Sequence, residues 1–429
     1  MSDYQQQLAE LPSDWSTLHI EEVGEVISGG TPSRNNPRYW GGEIPWVTPG
    51  EVTGFGRKHL EETDEKITAE GLAQSGAKLL PPNSLLVTTR ASLGAAVLNA
   101  APATTNQGFK SITFANSFSP DYYYHWVSKL KGELVRLASG TTFLEISGSQ
   151  FRKIPVPVPP RVEQEKIARI LDTLDTQIQK TEALIAKLER VKEGLLHDLL
   201  TRGIDENGQL RSSPDQAPEL YKESPLGLIP REWQYGQLQD FGQLVSGQHI
   251  PGELSNRDGK GVPYFTGPTD FYSGKTVTSN HTEFPQAMCS IGDLLITVKG
   301  SGCGKTAIAS TDACISRQLM AFSFREAEKG FWRAFFSSNE KMINKIAEGG
   351  AIPGISRRQL LHISAACPKT EYEYIVISEI IGEHEKRQFS EARQLKKLIK
   401  QKSGLMDDLL TGRVRVTPLL DTTQATTPA

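Results

Sequence analysis

Gly194-Leu195-Leu196-His197-Asp198-Leu199-Leu200-Thr201 and Gly404-Leu405-Met406-Asp407-Asp408-Leu409-Leu410-Thr411 are one eight-residue segment written twice. Matches run outward from it through the whole chain, which repeats once at a period of about 210 to 218 residues. Leu11-Pro12-Ser13-Asp14-Trp15 returns as Ile229-Pro230-Arg231-Glu232-Trp233, and Ile44-Pro45-Trp46 returns as Val262-Pro263-Tyr264. Leu85 to Arg90 returns as Leu294 to Lys299, Asn106-Gln107 as Arg317-Gln318, and Ile146-Ser147 with Gln150 as Ile355-Ser356 with Gln359. The protein is an internal duplication.

Each copy divides into a lobe and a helix. The lobes, residues 1–155 and 226–365, hold short β-rich runs such as Ser84 to Thr89 and Asp293 to Val298 between glycines and prolines, and one short helix over Tyr122 to Leu137. Residues 156–205 and 366–415 change character. From Arg161 to Thr201, apolar residues recur at steps of three and four behind the prolines Pro155, Pro157, Pro159 and Pro160, the signature of a long amphipathic helix. Thr181 and Lys192 interrupt its apolar seam, and the second copy, from about Glu371 to Thr411, is weakest around Gly382 to Arg387. A helix of about 40 residues is roughly 60 Å long, too long to fold against its own small lobe. The fold class read from this pattern is α+β: two pseudo-repeated lobes separated by two long antiparallel, coiled-coil helices. Residues 206–225, with Pro214, Pro218 and Pro225, read as a linker, and residues 416–429 as a disordered tail.

Composition fits a loop-rich globular protein of 429 residues, with 38% hydrophobic and 23% charged residues. No apolar run approaches the roughly 20 residues of a membrane span. Residues 1–10 lack the basic and apolar regions of a signal peptide, which with the four cysteines, none in a CxxC pair, points to the cytoplasm and to buried thiols without zinc. A net charge of −3 gives no bulk electrostatic argument for binding nucleic acid. Such binding must rest on local clusters.

Catalytic motifs are missing. Lys299-Gly300-Ser301-Gly302-Cys303-Gly304-Lys305-Thr306 ends like a phosphate-binding loop, but its first glycine position is Lys299, and the matching loop Arg90-Ala91-Ser92-Leu93-Gly94 cradles no nucleotide. Pro214-Asp215 with Glu219 resembles a nuclease cluster whose lysine position is Tyr221. There is no Asn-Pro-Pro-aromatic or Asp-Pro-Pro-aromatic segment for amino methylation of a flipped base, no HExxH and no GxSxG elbow. The positive feature is a set of polar and basic loop residues able to pair with base edges or phosphates. In the first lobe these are Arg34, Arg57, Lys58, Arg90, Ser92, Gln107 and Lys110. In the second they are Arg257, Lys260, Lys299, Ser301, Lys305, Arg317 and Gln318, and Arg90 and Lys299 recur at matching positions.

Ser28-Gly29-Gly30-Thr31-Pro32 to Tyr39-Trp40-Gly41-Gly42 and Ile44-Pro45-Trp46-Val47 resemble the opening of a target recognition domain in the specificity subunits of type I restriction-modification enzymes. Ile154-Pro155-Val156-Pro157 to Pro159-Pro160, Glu163-Gln164 and the helix ending Leu199-Leu200-Thr201 carry the same resemblance. It covers essentially the whole chain. It implies a non-catalytic subunit that recognises an asymmetric two-part sequence in double-stranded DNA, one part per lobe, while the helices set the gap and dock two modification (methyltransferase) subunits. Ile167, Leu171, Leu174, Ile178, Leu188, Leu195, Leu398, Leu405 and Leu409 are then the expected helix residues of that docking. S-adenosylmethionine would belong to the modification subunits, and ATP and Mg to restriction (translocase and endonuclease) subunits, with no cofactor or metal in this chain. The second copy departs from the first at Ile363 to Pro368, which keeps one proline, and has Tyr372 and Tyr374 where the first has Glu163 and Glu165. The alternative reading is a transcriptional regulator of a split operator that works without enzyme partners; a coiled-coil scaffold would have no use for duplicated basic loops.

Overall fold

The computed structural model describes residues 2–139, 144–272, 274–300, 302–347 and 354–424. It divides into two compact units, Met1–Thr181 with Gln394–Ala429, and Glu182–Arg393. Both boundaries fall inside the long helices, Arg161–Thr201 and Glu371–Leu410. Each unit is therefore one lobe, half of the helix that follows it in the chain, and half of the other helix.

The strand order of the two lobes is duplicated. In the first, Ser16–His19 pairs antiparallel with Pro155–Val158, and a five-stranded sheet runs Gly24–Ser28, Phe109–Phe114, Leu85–Thr88, Ala96–Asn99, His59–Leu60. In the second, Gln234–Gln237 pairs with Ser364–Cys367, and the sheet runs Gln243–Ser246, Leu319–Ser323, Leu294–Thr297, Thr306–Ile308, Lys275–Thr276, with Phe271–Tyr272 added at the edge. A smaller sheet around Trp40–Val47 matches one around Val262–Phe265. The central strands are four-residue apolar runs because both of their faces are covered, and the period of two sends alternate side chains to different cores. Leu85 and Val87 join Trp126 and Ile167, while Leu86 joins Val47 and Phe109. Leu294 and Ile296 join Trp233 and Trp332, while Leu295 joins Phe265 and Ile315.

Within each unit the two helix halves run antiparallel, and polar pairs fix their register. In the first unit Arg415 meets Glu163, and Lys402 meets Asp175. In the second Arg211 meets Glu373, and Lys192 Nζ lies 2.9 Å from Glu385. Of the residues that break the apolar pattern, Lys192 and Glu385, the latter from the Gly382 to Arg387 stretch, fix the register between the helices. Thr181, buried, bonds within its own helix, donating its hydroxyl to the Gln177 carbonyl at 2.8 Å.

Four sequence expectations change. Glu373, not Tyr372, takes the place of Glu163: one residue more lies between the Ser364–Cys367 strand and its helix than between Pro155–Val158 and the first helix, so an ungapped match misaligns the helix starts. The stretch read as a linker folds, with a Tyr221–Ser224 and Gly227–Pro230 hairpin and Arg211 buried against Glu373. Within the segment read as a tail, Val416 is buried in the first unit's core and Thr417–Gln424 is helical. The helix residues expected to dock partners face inward instead: Ile167, Leu171, Leu188, Leu398 and Leu409 are buried, and Leu195 and Leu405 pack on the lobe cores. Leu174 and Ile178 are half-buried. The large apolar or aromatic side chains these helices leave exposed are Val162, Val191, Tyr372, Ile375, Phe389 and Ile399.

Candidate nucleic-acid interface

At one end of each large sheet three loops are stitched together by the same hydrogen bonds. In the first lobe Thr89 N–H donates to the Gly108 carbonyl at 2.8 Å, and Ile146 N–H to the Thr89 carbonyl at 3.1 Å. In the second, Val298 N–H donates to the Gln318 carbonyl at 2.8 Å, and Ile355 N–H to the Val298 carbonyl at 2.9 Å. The residue that follows the central strand is then held in an isolated bridge, Arg90 with Glu145 and Lys299 with Gly354. The match of Arg90 to Lys299 is one of backbone geometry as well as of sequence, whereas the strand pairing sets Gln107 opposite Arg317 and Gly108 opposite Gln318, one residue away from the sequence match of Asn106-Gln107 to Arg317-Gln318. Both loops turn through left-handed backbone, at Ala91 (φ 59°) and Gly94 in one and at Gly300 and Gly304 in the other. Ala91 carries a Cβ into a region that costs a non-glycine residue of order 1 kcal/mol.

The two faces differ in charge. In the first lobe Arg34, Lys58 and Arg90 are engaged with carboxylates. Arg34 makes a bidentate pair with Glu65, with its guanidinium carbon 3.8 Å from the Trp40 ring centroid; that pair raises the arginine pKa and lowers that of Glu65. Arg90 Nε lies 3.6 Å from Glu145, both half-exposed. Lys58 is not a loop residue free to meet a ligand: its ammonium sits between Asp121 (2.5 Å) and Asp172 (2.7 Å), and Asp172 also takes a 2.8 Å hydrogen bond from His125. Burial pushes the Asp172 carboxyl up, but His125 and Lys58 together hold it below the usual aspartate range. Lys110 is buried within the Phe109–Phe114 strand, and burial lowers its pKa, with Glu145 opposing and Arg152 adding. Ser92 is half-buried and its carbonyl accepts from the Thr88 hydroxyl; Gln107 is exposed and accepts from Thr31. Arg57 is exposed and has no carboxylate partner among the described residues.

In the second lobe Arg257, Lys260, Lys299, Lys305 and Arg317 are exposed, and among the described residues none has a carboxylate partner. Gln318 is exposed and its side chain lies over Gly267, where a Cβ would sit 2.5 Å from Oε1. Ser301 lies outside the described residues.

Arg357, which by sequence reads as a basic loop residue, is the counterpart of an arginine that changes position between copies. Arg152 donates to the Val26 carbonyl at 3.2 Å, and Arg357 donates to the matching Leu244 carbonyl at 2.6 Å. The first comes from the end of its short helix and the second from the start, where the first copy has Gly148; a Cβ on Gly148 would lie 3.3 Å from the Arg152 guanidinium. The signal was Gly148 opposite Arg357, already in register in the sequence match of Ile146-Ser147 with Gln150 to Ile355-Ser356 with Gln359. Arg357 therefore clamps a strand and is not a loop cation. His125, Asp172 and Asp175 lie close enough to hold a metal ion, but lysines already neutralise both carboxylates, which favours a structural ion-pair cluster. All four cysteines are buried, and burial pushes the Cys289 thiol up to about 12 and the Cys367 thiol to about 11, so neither is a nucleophile.

Fold and faces define a duplicated α+β protein with two matched but differently charged loop faces on helix-bound lobes. Residues 12–190 and 230–401 match the family described as type I restriction modification DNA specificity domain, and the chain belongs to that family. Over 247 residues it is 30% identical to the MjaIX type I restriction enzyme specificity subunit of Methanocaldococcus jannaschii, a stretch covering 57% of this chain and 55% of that relative. Over 428 residues it is 23% identical to the putative MjaX specificity subunit of the same organism, covering 96% of each. The fold is similar to that of the type I restriction-modification S subunit from M. genitalium, with a TM-score of 0.60 at 15% identity over 93% of this chain and 98% of that one. Members of this family are non-catalytic specificity subunits of DNA-modifying complexes, which leaves the stand-alone regulator without support. No described helix is long and apolar enough to cross a membrane.

Proposed function

We propose that this chain selects the DNA target of a type I restriction-modification complex by reading an asymmetric, two-part duplex sequence, one part per lobe. The observation that carries this is the duplicated loop end: one hydrogen-bonding scheme presents Arg90 beside Glu145 in one lobe and Lys299 beside Gly354 in the other. Matched scaffolds with different side chains read different half-sites, as two-fold dimers read matching ones. Arg57, Arg90, Ser92 and Gln107, with Arg257, Lys260, Lys299, Lys305, Arg317 and Gln318, are the residues that meet the duplex; Arg34 supports the first face through Glu65 and the tryptophans. The antiparallel helices set the unread gap, and their exposed apolar residues meet two modification subunits, which supply methyl transfer from S-adenosylmethionine. Restriction subunits supply ATP- and Mg-dependent translocation and cleavage, all in the cytoplasm. Co-expression with a cognate modification subunit, followed by mapping of methylated adenines, tests this. The expected motif has two short defined tracts at a fixed separation; a single contiguous motif, or methylation independent of this chain, contradicts it.

A further inference from the structure

The two units differ at one groove. In the first, the helix Asp3–Ala9, started by a Ser2 capping box, lies along the lobe helix Pro120–Leu137. Tyr4 is its anchor: buried, its ring centroid 6.0 Å from that of Trp126, its hydroxyl donating to the Pro155 carbonyl. Leu8, one turn on, packs on the same core. The Ser2 hydroxyl donates to Glu133 at 3.1 Å, and beside it Lys129 pairs with Asp407.

Counting from the buried tryptophans Trp126 and Trp332, the second unit has Phe335 for Lys129, Ser338 for Gly132 and Asn339 for Glu133. By the helix and strand matches it has His197 for Asp407 and Ser364 for Pro155. All five line an apolar groove of about 800 Å³. Nothing among the described residues plugs it. The segment that corresponds to the N-terminal helix is the Tyr221–Ser224 and Gly227–Pro230 hairpin, which leaves Leu226 and Leu228 each 50% exposed at the groove wall.

We infer that this groove is a docking site for a short amphipathic helix of the modification subunit, seated as Asp3–Ala9 is seated in the first unit. The inference rests on the proposed function for the partner's identity and on the occupied twin groove for its chemistry. Replacement of the Lys129–Asp407 pair by Phe335 and His197 removes the polar bridge and enlarges the apolar floor. The occupant therefore presents two large apolar or aromatic side chains one turn apart, and no carboxylate or lysine in the groove lining selects for charge. A second copy's N-terminal helix is a poorer match, because it would have to abandon its own Tyr4 site and brings mainly polar residues. One of two matching grooves is thus closed by the chain itself and the other is kept for a partner, so the subunit is asymmetric toward its partners as well as toward DNA.

The test uses the full chain. Its native cysteines are all buried, so Ser338→Cys offers one exposed thiol for an environment-sensitive fluorophore. Addition of purified modification subunit is expected to give a saturable blue shift. The double variant Phe335→Lys/His197→Asp, which rebuilds the first unit's ion pair, and the exposed-wall variant Leu228→Glu are each expected to weaken assembly tenfold or more by sedimentation, with circular dichroism unchanged. Assembly with a silent label, or assembly of both variants at wild-type affinity, overturns the groove assignment alone. A response to a second copy of the chain, or to a peptide of residues 2–12, in place of the modification subunit overturns the choice of occupant. Failure of the wild-type chain to bind the modification subunit at all overturns the proposed function with it.

Discussion

Glu163 and Glu373 hold the same position in the two copies, and truncating each to alanine should cost very different amounts. Glu373 accepts from the Ile204 N–H at 3.0 Å, from Trp233 Nε1 at 2.9 Å and from both terminal nitrogens of Arg211. Arg211 is 7% exposed, and among the described residues its other ion pair is with the exposed Glu232 at 3.1 Å. Glu373→Ala leaves a buried guanidinium largely unpaired and two N–H groups without an acceptor. Breaking a buried pair costs about 3 to 5 kcal/mol, and each of the two orphaned neutral donors adds about 1 kcal/mol, so a loss of about 5 to 7 kcal/mol is expected. Among the described residues Glu163 accepts from Arg415 alone, whose side chain is 29% exposed and keeps a bidentate pair with Asp14 at 2.6 and 2.7 Å. Solvent and Asp14 compensate the guanidinium there, and the expected loss is about 1 to 2 kcal/mol. Urea unfolding followed by tryptophan fluorescence measures both, since Trp233 and Trp15 report on the two sites. Equal losses would refute the reasoning that burial of the arginine, not the shared position, sets the cost.

Three further outcomes follow from the charges and the helices. Lys299→Ala should weaken DNA binding by the assembled enzyme more than Arg90→Ala and lower the salt dependence by about one unit of slope, because Lys299 is unpaired whereas Arg90 already has Glu145; equal effects in filter binding at several salt concentrations would reject the difference. Burial raises the Asp172 and Glu385 carboxyls, but His125 and Lys58, and Arg333 and Lys192, hold both below their ordinary values. The stability they contribute is then present above an unfolded pKa of about 4 and lost as pH falls through the depressed folded values, so the urea midpoint should drop below about pH 4, and less steeply in Asp172→Asn and Glu385→Gln variants. Duplicating Thr181-Glu182-Ala183-Leu184, at the boundary of the two units, advances the helix by about 6 Å and turns it about 40° past a full turn; the methylated motif should gain one or two base pairs of gap, and an active enzyme with an unchanged gap would refute a ruler role for the helices.

The duplication, the α+β lobes and both long helices were legible because each rests on a pattern of fixed period: the repeat itself, the step of three and four in the helices, and the apolar run of the doubly covered central strands. The first lobe's helix was expected over Tyr122 to Leu137 and spans Pro120–Leu137. The interface was less legible because charge in a sequence does not show its partner. Lys58 and Arg34 looked like free loop cations until folding brought Asp172 and Glu65 to them, residues 114 and 31 positions away. Lys110 looked exposed because its strand was not recognised. The inward-facing helix residues were misread as a docking surface because a heptad seam looks the same whether it meets a partner chain or the same chain's other helix.

The central claim is that the two lobes read independently, and one measurement tests it most directly. Residues 1–150 are exchanged for the corresponding lobe of another member of the family, the chimera is co-expressed with the modification subunit, and methylated positions are mapped across a genome. The expected motif has one tract replaced while the other tract and the gap stay as in the parent. A motif altered in both tracts, or unchanged in both, would contradict recognition by one lobe per half-site.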